Sequence, residues 1–226
     1  MRLKALKNAF PMTIPVLTGY LFLGIGYGIL MNKSGLSLAL TIVMSTLVFT
    51  GAMQFAAIPL FLTSFNPISV FILSMMVNLR HLFYGISLLP KYKNLGIKKY
   101  FMIFSLSDET FSINVASTIK EDVNPGWFYF FVSLLDYLYW AIASVIGFLL
   151  ASKIPNNIKG IDFVLTALFY VLFLNQWDVK QNRTYLLLGL FCTTLALVLV
   201  GKTQFLLVAM ILLFGCIMID YQRRKI

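Results

Sequence analysis

Apolar residues in this chain come in runs long enough to cross a lipid bilayer, and that patterning points to a helical membrane architecture. The runs cover about 13–31, 36–65, 68–89, 100–119, 127–151, 161–174, 185–200 and 205–219. Roughly 20 apolar residues span the hydrocarbon layer as a helix, and a helix satisfies its backbone polar groups within the segment, which the bilayer demands. With 60% of 226 residues hydrophobic and 12% charged, no soluble domain is left once the runs are removed. The fold class read from this pattern is all-α. It is a polytopic helical membrane protein with one integral membrane domain over 1–226, six to eight membrane segments, and at least one broken or re-entrant helix. An internal repeat is an open option.

The net charge of +10 invites a nucleic-acid reading, but the positions of the cations argue against it. Arg2, Lys4 and Lys7, then Lys91, Lys93, Lys98 and Lys99, then Arg223, Arg224 and Lys225 all flank apolar runs. Such flanks set topology and meet anionic lipid. Cys192 and Cys216 lie inside apolar runs with no CxxC neighbour, and read as small hydrophobes rather than a disulfide or metal pair. No small-x-small cleavage site follows the first run, so it is read as a retained span.

The run 36–65 is too long for one span and too short for two with an ordinary loop. Thr50-Gly51-Ala52-Met53-Gln54 stands in its middle and Pro59 follows. Gly and Pro at membrane depth belong where broken backbone is covered by protein or lines a cavity. A break at Gly51 beside a polar Gln54 is therefore expected, with one kinked helix as the alternative. Gly35, in a short polar connection, is expected to tolerate a side chain. A constant offset of 150 sets Gly51, Gln54 and Phe55 on Gly201, Gln204 and Phe205, and Tyr20 on Tyr170. Repeats around a midplane site are common in secondary transporters. The basic N-terminus, the lysines at 91–99 and the basic tail all favour the cytoplasm. Simple alternation of eight crossings cannot place all three there unless one segment is re-entrant or broken.

Ionisable residues inside the runs carry the functional reading, since each costs at least a few kcal/mol at membrane depth. The run 68–89 contains Asn78-Leu79-Arg80-His81-Leu82-Phe83-Tyr84-Gly85, with an arginine and the chain's single histidine. The run 100–119 contains Ser107-Asp108-Glu109-Thr110. On a helix Arg80 and Tyr84 share a face, while Asn78 and His81 share a neighbouring stripe; continued helix would align Asp108 with Ser105 and Ser112. Arg80 offers a planar fork for a carboxylate, and His81 suits a proton relay. Asp108 and Glu109 could each hold a proton or face an ammonium group. The bland alternative is a structural Arg80–Asp108 pair. Asp136 is plausibly deep in its run, Asp162 is expected to cap a helix, and the aromatic group Trp127, Tyr129, Tyr137, Tyr139 and Trp140 reads mainly as interface anchoring and packing. The chain has no nucleotide-binding GxxxxGK[ST], no HExxH and no GxSxG. No enzyme activity, cofactor or metal is expected.

The motifs Gly51-Ala52-Met53-Gln54-Phe55, Asn78 to Gly85 and Ser107-Asp108-Glu109-Thr110-Phe111 resemble, in order and spacing, the AzlC-like family of large subunits of bacterial branched-chain amino-acid exporters. The resemblance implies export of valine, leucine or isoleucine from a bacterial or archaeal cell, and a small separately encoded hydrophobic subunit of the AzlD type. Methionine is a further expected substrate, because aliphatic side chains are poorly discriminated by apolar contact. The expected substrate site comprises Arg80, Asp108, Glu109, Gly51, Gln54, Asn78 and Tyr84, with proton coupling at Asp108, Glu109 or His81. The alternative is a non-transporting scaffold or assembly subunit whose polar cluster only fixes helix register.

Overall fold

The computed structural model describes residues 1–62, 66–154 and 183–225, together with residues 170, 173, 174, 177 and 180, and the described residues contain no strand. The elements are α1 (Arg2–Lys33), α2 (Leu38–Val43) extended by a π-helical turn (Met44–Val48), α3 (Gly51–Leu62), α4 (Pro67–Tyr92), α5 (Lys98–Phe104), α6 (Asp108–Ala116), α7 (Pro125–Leu150) and α8 (Arg183–Lys225). Among the described residues, four helical stretches are long and apolar enough to cross a membrane: α1, Val70–Tyr92 of α4, Pro125–Lys153 and Arg183–Gly201 of α8. The chain divides into two units, Met1–Val164 and Leu165–Ile226.

In the first unit α1 and α7 lie side by side, running the same way. Arg2 stacks over Trp127 at 4.4 Å and Lys4 pairs with Asp122 at 3.4 Å at one end. At the other end Lys33 Nζ donates to the carbonyl of Ile154 at 2.7 Å. We call these the basic end and the distal end. Between them the two backbones touch through glycine. A Cβ on Gly24 would sit 2.6 Å from the Ala143 Cβ, one on Gly28 would strike the Ser144 carbonyl, and one on Gly147 would strike the Ile25 carbonyl. Small residues at a helix interface permit this approach, and within a membrane such van der Waals packing helps drive association.

The segment 38–62 begins beside Lys33 and does not continue across. Ser37 caps α2 by accepting from Leu40 N. Phe49 then adopts a left-handed conformation, φ 38° and ψ 46°, unusual for a bulky residue. The chain reverses there: Gln54 Nε2 donates to the Met44 carbonyl at 2.9 Å, ten residues back, a separation of about 15 Å on a straight helix. Phe55 then meets Tyr27 at 5.4 Å, nearer the distal end. The expected break beside Gly51 is thus the tip of a helical hairpin that comes in from the distal end and returns to it.

Helix α4 carries the chain to the basic end, where Tyr92 packs on Tyr129 at 5.8 Å. Lys98 lies 3.7 Å over the same Trp127 ring that Arg2 covers. The basic N-terminus and Lys98 therefore share one end, as the charge pattern asked, because 38–62 turns back. Helix α5 runs inward beside α7, with Phe101 against Phe130 at 5.6 Å. It stops at Ser105, and α6 starts at Asp108 behind the N-cap Ser107. Asn114 on α6 donates to Tyr92 Oη at 2.8 Å, back at the basic end. This overturns the helical alignment of Asp108 with Ser105, while Ser112 still shares α6 with Asp108: two helices, not one, occupy 98–116. A core of Ala5, Ala9, Leu88, Tyr92, Met102, Leu106, Val123, Phe128, Tyr129 and Val132 closes the basic end.

Two further expectations are corrected. Gly35 has φ +74°, so a side chain there is strained even with open space around it. Lys91 is not simply a lipid-facing flank, since its ammonium donates to the carbonyls of Asn114 at 2.7 Å and Val115 at 2.9 Å. In the second unit α8 reverses at Gly201, φ 68° and ψ −175°, and Tyr185 Oη donates to Asp220 Oδ2 at 2.9 Å across the two arms. Cys192 and Cys216 are free thiols. Asp162, with its expected capping role, lies outside the described residues, as does the side chain of Gln204 from the repeat comparison.

Candidate functional site

The tips of the two hairpins are joined by side chains of α1 and α7 at mid-depth. Tyr20 on α1 places its hydroxyl 2.7 Å from Glu109 Oε2 and 2.8 Å from Ser107 Oγ, at the α5–α6 tip. The Tyr20 ring meets Trp140 of α7 edge-on at 5.3 Å. Trp140 Nε1 donates to Gln54 Oε1 at 2.8 Å, at the α2–α3 tip. A Cβ on Gly51 would come 3.1 Å from the Trp140 ring, so glycine there makes room for the outer edge of the indole at the start of α3. Tyr137 also reaches the distal-end hairpin, donating to the Thr46 carbonyl at 3.2 Å.

The charged residues gather at the α5–α6 tip. Ser107 Oγ accepts from Thr110 N, and Asp108 and Glu109 occupy the first turn of α6, where the positive end of the helix dipole favours carboxylates. Arg80 on α4 reaches Asp108 at 2.9 Å, Nη1 to Oδ2, with both side chains about one-third exposed (36% and 32%). The pair is incomplete: Arg80 Nε and Asp108 Oδ1 are buried without a hydrogen-bond partner. Part of the guanidinium fork and one carboxylate oxygen are therefore left over from the pair itself.

Helix α4 presents one face along α6. One turn beyond Arg80, Tyr84 stacks on Phe111 at 4.2 Å, and Lys91 covers the last carbonyls of α6. The shared face read for Arg80 and Tyr84 is the face that meets the acidic helix. His81 lies off that line, its Nδ1 3.3 Å from the Asn78 carbonyl and its ring edge-on to Tyr84 at 5.6 Å. Asn78 holds Ser74 only weakly, at 3.4 Å, and its Oδ1 is buried without a partner.

The structure thus brings together Arg80, Asp108, Glu109 and Tyr84, and separately Gly51 and Gln54. It does not bring Glu109 to Arg80. Gln54 is fully buried, with its amide engaged by Met44 and Trp140, so it holds the tip in shape. For four residues the sequence does not reveal the partners. Tyr20 and Thr110 carry no pattern that separates them from other polar residues in apolar runs. Trp140 was grouped with interface aromatics, yet it is 4% exposed in mid-helix. Asp136 is as deep as its position in the run suggests, 0% exposed, but its partner is silent in the sequence: it accepts from Thr110 Oγ1 at 2.7 Å. One signal was available for this region: Ser107 followed by two acids is a helix start, and it locates the break.

The family model described as "AzlC protein" matches residues 15–154, the stretch that contains both hairpins. The chain belongs to the AzlC family. It is 46% identical to the "Branched-chain amino acid transport protein AzlC" of Bacillus subtilis, over 93% of this chain and 83% of that protein. It is 38% identical to an uncharacterized membrane protein of Haemophilus influenzae, over 92% of this chain and 86% of that one. A membrane protein of Archaeoglobus fulgidus is 28% identical over 76% of this chain and 75% of its own length. No solved structure matches. The membrane-length helices and these relatives make the chain a multi-pass membrane protein.

Proposed function

We propose that this protein is the large subunit of a secondary transporter that exports valine, leucine, isoleucine and methionine, coupled to protons. The observation that carries the reading is the half-used Arg80–Asp108 pair at the middle of α4 and the start of α6. A substrate carboxylate takes the free side of the Arg80 fork, and its ammonium takes the free Asp108 oxygen. Tyr84 fixes α6 against α4, Asn78 lies one turn before His81 on α4, and the hairpin from Gly51 to Gln54 supplies the apolar wall. Such contacts separate aliphatic side chains by only about 1–3 kcal/mol per methylene, which favours a small group of substrates. The B. subtilis relative supports the substrate class by its name.

Glu109, Asp108 and His81 are the ionisable groups proposed to carry proton coupling. A small AzlD-type subunit completes the transporter, and α1, α4 and α7, the two re-entrant hairpins and the two arms of α8 make up the six to eight membrane segments. Reconstitution tests the reading. Vesicles containing the chain with its small partner should exchange labelled leucine, and Arg80→Lys should lose most of that flux while still inserting. A wild-type protein that assembles with its partner but moves no leucine is a scaffold.

A further inference from the structure

Beyond the Arg80–Asp108 pair, Glu109 at the tip of the basic-end hairpin and Asp136 on α7 beside it form no ion pair among the described residues. We propose that Glu109 and Asp136 exchange a proton through a relay of Tyr20, Ser107 and Thr110, and that this relay, not Asp108 or His81, couples transport to the proton gradient. The inference rests on the transport reading and names the coupling groups within it.

The geometry is continuous. Tyr20 Oη lies 2.7 Å from Glu109 Oε2 and 2.8 Å from Ser107 Oγ. Ser107 Oγ lies 3.1 Å from Thr110 Oγ1, and Thr110 Oγ1 lies 2.7 Å from Asp136 Oδ2. Three hydroxyls, from α1, the α6 cap and α6 itself, thus bridge two acids on different helices. A proton arriving on Glu109 passes to Tyr20 Oη, which gives its own proton to Ser107. Ser107 gives its proton to Thr110, and Thr110 gives its proton to Asp136. Each hydroxyl gains one O–H bond and loses one, so the net change is one proton moved from Glu109 to Asp136. Rotation of the three hydroxyls then resets the chain.

The surroundings set these acids apart from the third one. Arg80 on α4 is committed to Asp108, and His81 contacts Asn78 and Tyr84. Lys91 is spent on α6 carbonyls. From α1 the facing titratable group is Tyr20, from α4 Tyr84 lies beside Asp108 and Glu109, and Tyr137 of α7 bonds away to Thr46. The segment 38–62 contains no ionisable residue, and α5 has its lysines at the basic end, with Lys98 on Trp127. Two bare negative charges held in protein without a cation would be costly, and one shared proton removes much of that cost.

A second observation extends the path. Asp136 Oδ1 is buried with no partner, and so are Ser133 Oγ, one turn earlier on α7, and Asn114 Oδ1, one turn after Thr110 on α6. All three residues are 0% exposed. Buried polar atoms of this kind take a partner from water or an added proton. They mark successive turns of α6 and α7 from Asp136 toward the basic end.

The experiment uses the full-length chain and its small partner in vesicles, with labelled leucine measured in two ways: as one-for-one exchange and as net flux driven by an imposed pH gradient. Asp136→Asn and Tyr20→Phe are expected to lower the ratio of driven flux to exchange by at least about tenfold, with Asp136→Glu restoring part of it. A purely structural role would lower both fluxes together, and an unaltered ratio in Asp136→Asn overturns the relay. An infrared difference spectrum between about pH 5 and pH 8 needs no substrate. It should show a carboxyl band that disappears in Asp136→Asn and shifts in Tyr20→Phe; its absence from wild type also overturns the relay. If wild type shows the band yet moves no leucine, the transport reading fails and the relay stands.

Discussion

The two hairpins meet the α1–α7 pair at the same depth with opposite chemistry. The one from the distal end is uncharged: Phe49, Gly51 and Gln54 present aromatic, backbone and amide groups, and the amide is fully engaged by Met44 and Trp140. The one from the basic end carries Ser107, Asp108, Glu109 and Thr110, with Arg80 and Asp136 brought to it from α4 and α7. One tip is finished and the other is left with unsatisfied atoms. A polar group satisfied inside the protein contributes shape; a polar group left unsatisfied is free to bind. In the proposed transporter, the difference gives packing to one hairpin and recognition to the other.

The sharpest way to break that assignment is Arg80→Lys. The ammonium keeps the charge but not the fork, so leucine flux should fall by about 100-fold, in line with the ~2–3 kcal/mol of a charge-assisted bond. Flux close to wild type in vesicles would show that charge alone suffices and that the free side of the guanidinium is not a ligand site.

On the uncharged side the largest effect is expected at Gly51. A leucine there must displace the Trp140 ring, 3.1 Å from the position of a Cβ, at a cost of about 1–3 kcal/mol. Gly19→Leu is the proper control, since nothing lies within 4 Å of a Cβ there, whereas Gly35 with its positive φ is not. Thermal unfolding in detergent should separate the two variants. Equal midpoints would mean that the indole does not rest on α3.

Gln54→Leu and Trp140→Phe, singly and together, measure how far the neutral tip depends on one bond. The coupling between them should be about 1 kcal/mol, and both variants should keep the leucine specificity of wild type even where they lose stability. A changed substrate preference would move Gln54 from the packing side of the comparison to the recognition side.

The smallest effect belongs to Lys91→Ala, which removes the cation from the C-terminal carbonyls of α6. A loss of about 0.3–1 kcal/mol is expected, read as a modest shift of the unfolding midpoint with transport retained. A large loss of transport would make Lys91 part of the recognition hairpin rather than a clamp on its far end.

What the sequence made legible follows from what hydropathy and spacing encode. Charge inside an apolar run is visible at once, so Arg80, Asp108 and Glu109 stood out. A four-residue spacing is a face, and Arg80 and Tyr84 do meet one neighbour, α6, at Asp108 and Phe111. Direction is not encoded in an apolar count. The run 100–119 has the length of a crossing, yet Ser107 caps a new helix inside it, and only the cap chemistry betrays that. Partners from distant segments are also silent. Nothing local to Tyr20 or Trp140 says that one closes on Glu109 and the other on Gln54, because those bonds exist only once α1 and α7 have brought the two tips to one level. The break near Gly51 was legible for a different reason: glycine beside glutamine at membrane depth has few other uses.

The glycine seam between α1 and α7 limits how the molecule can move. Where Gly28 and Gly147 press backbone against backbone, no layer of side chains lies between the helices to repack as one slides past the other. Sliding would drive Cα atoms into carbonyls. The pair therefore travels as a single axle, and Tyr20 and Trp140 keep a fixed spacing across it. In the proposed transporter, opening of the central layer to one face and then to the other would fall to the parts outside this seam: the two hairpins and α4. A crosslink between α1 and α7 should leave turnover intact, while one between α4 and α6 should stop it.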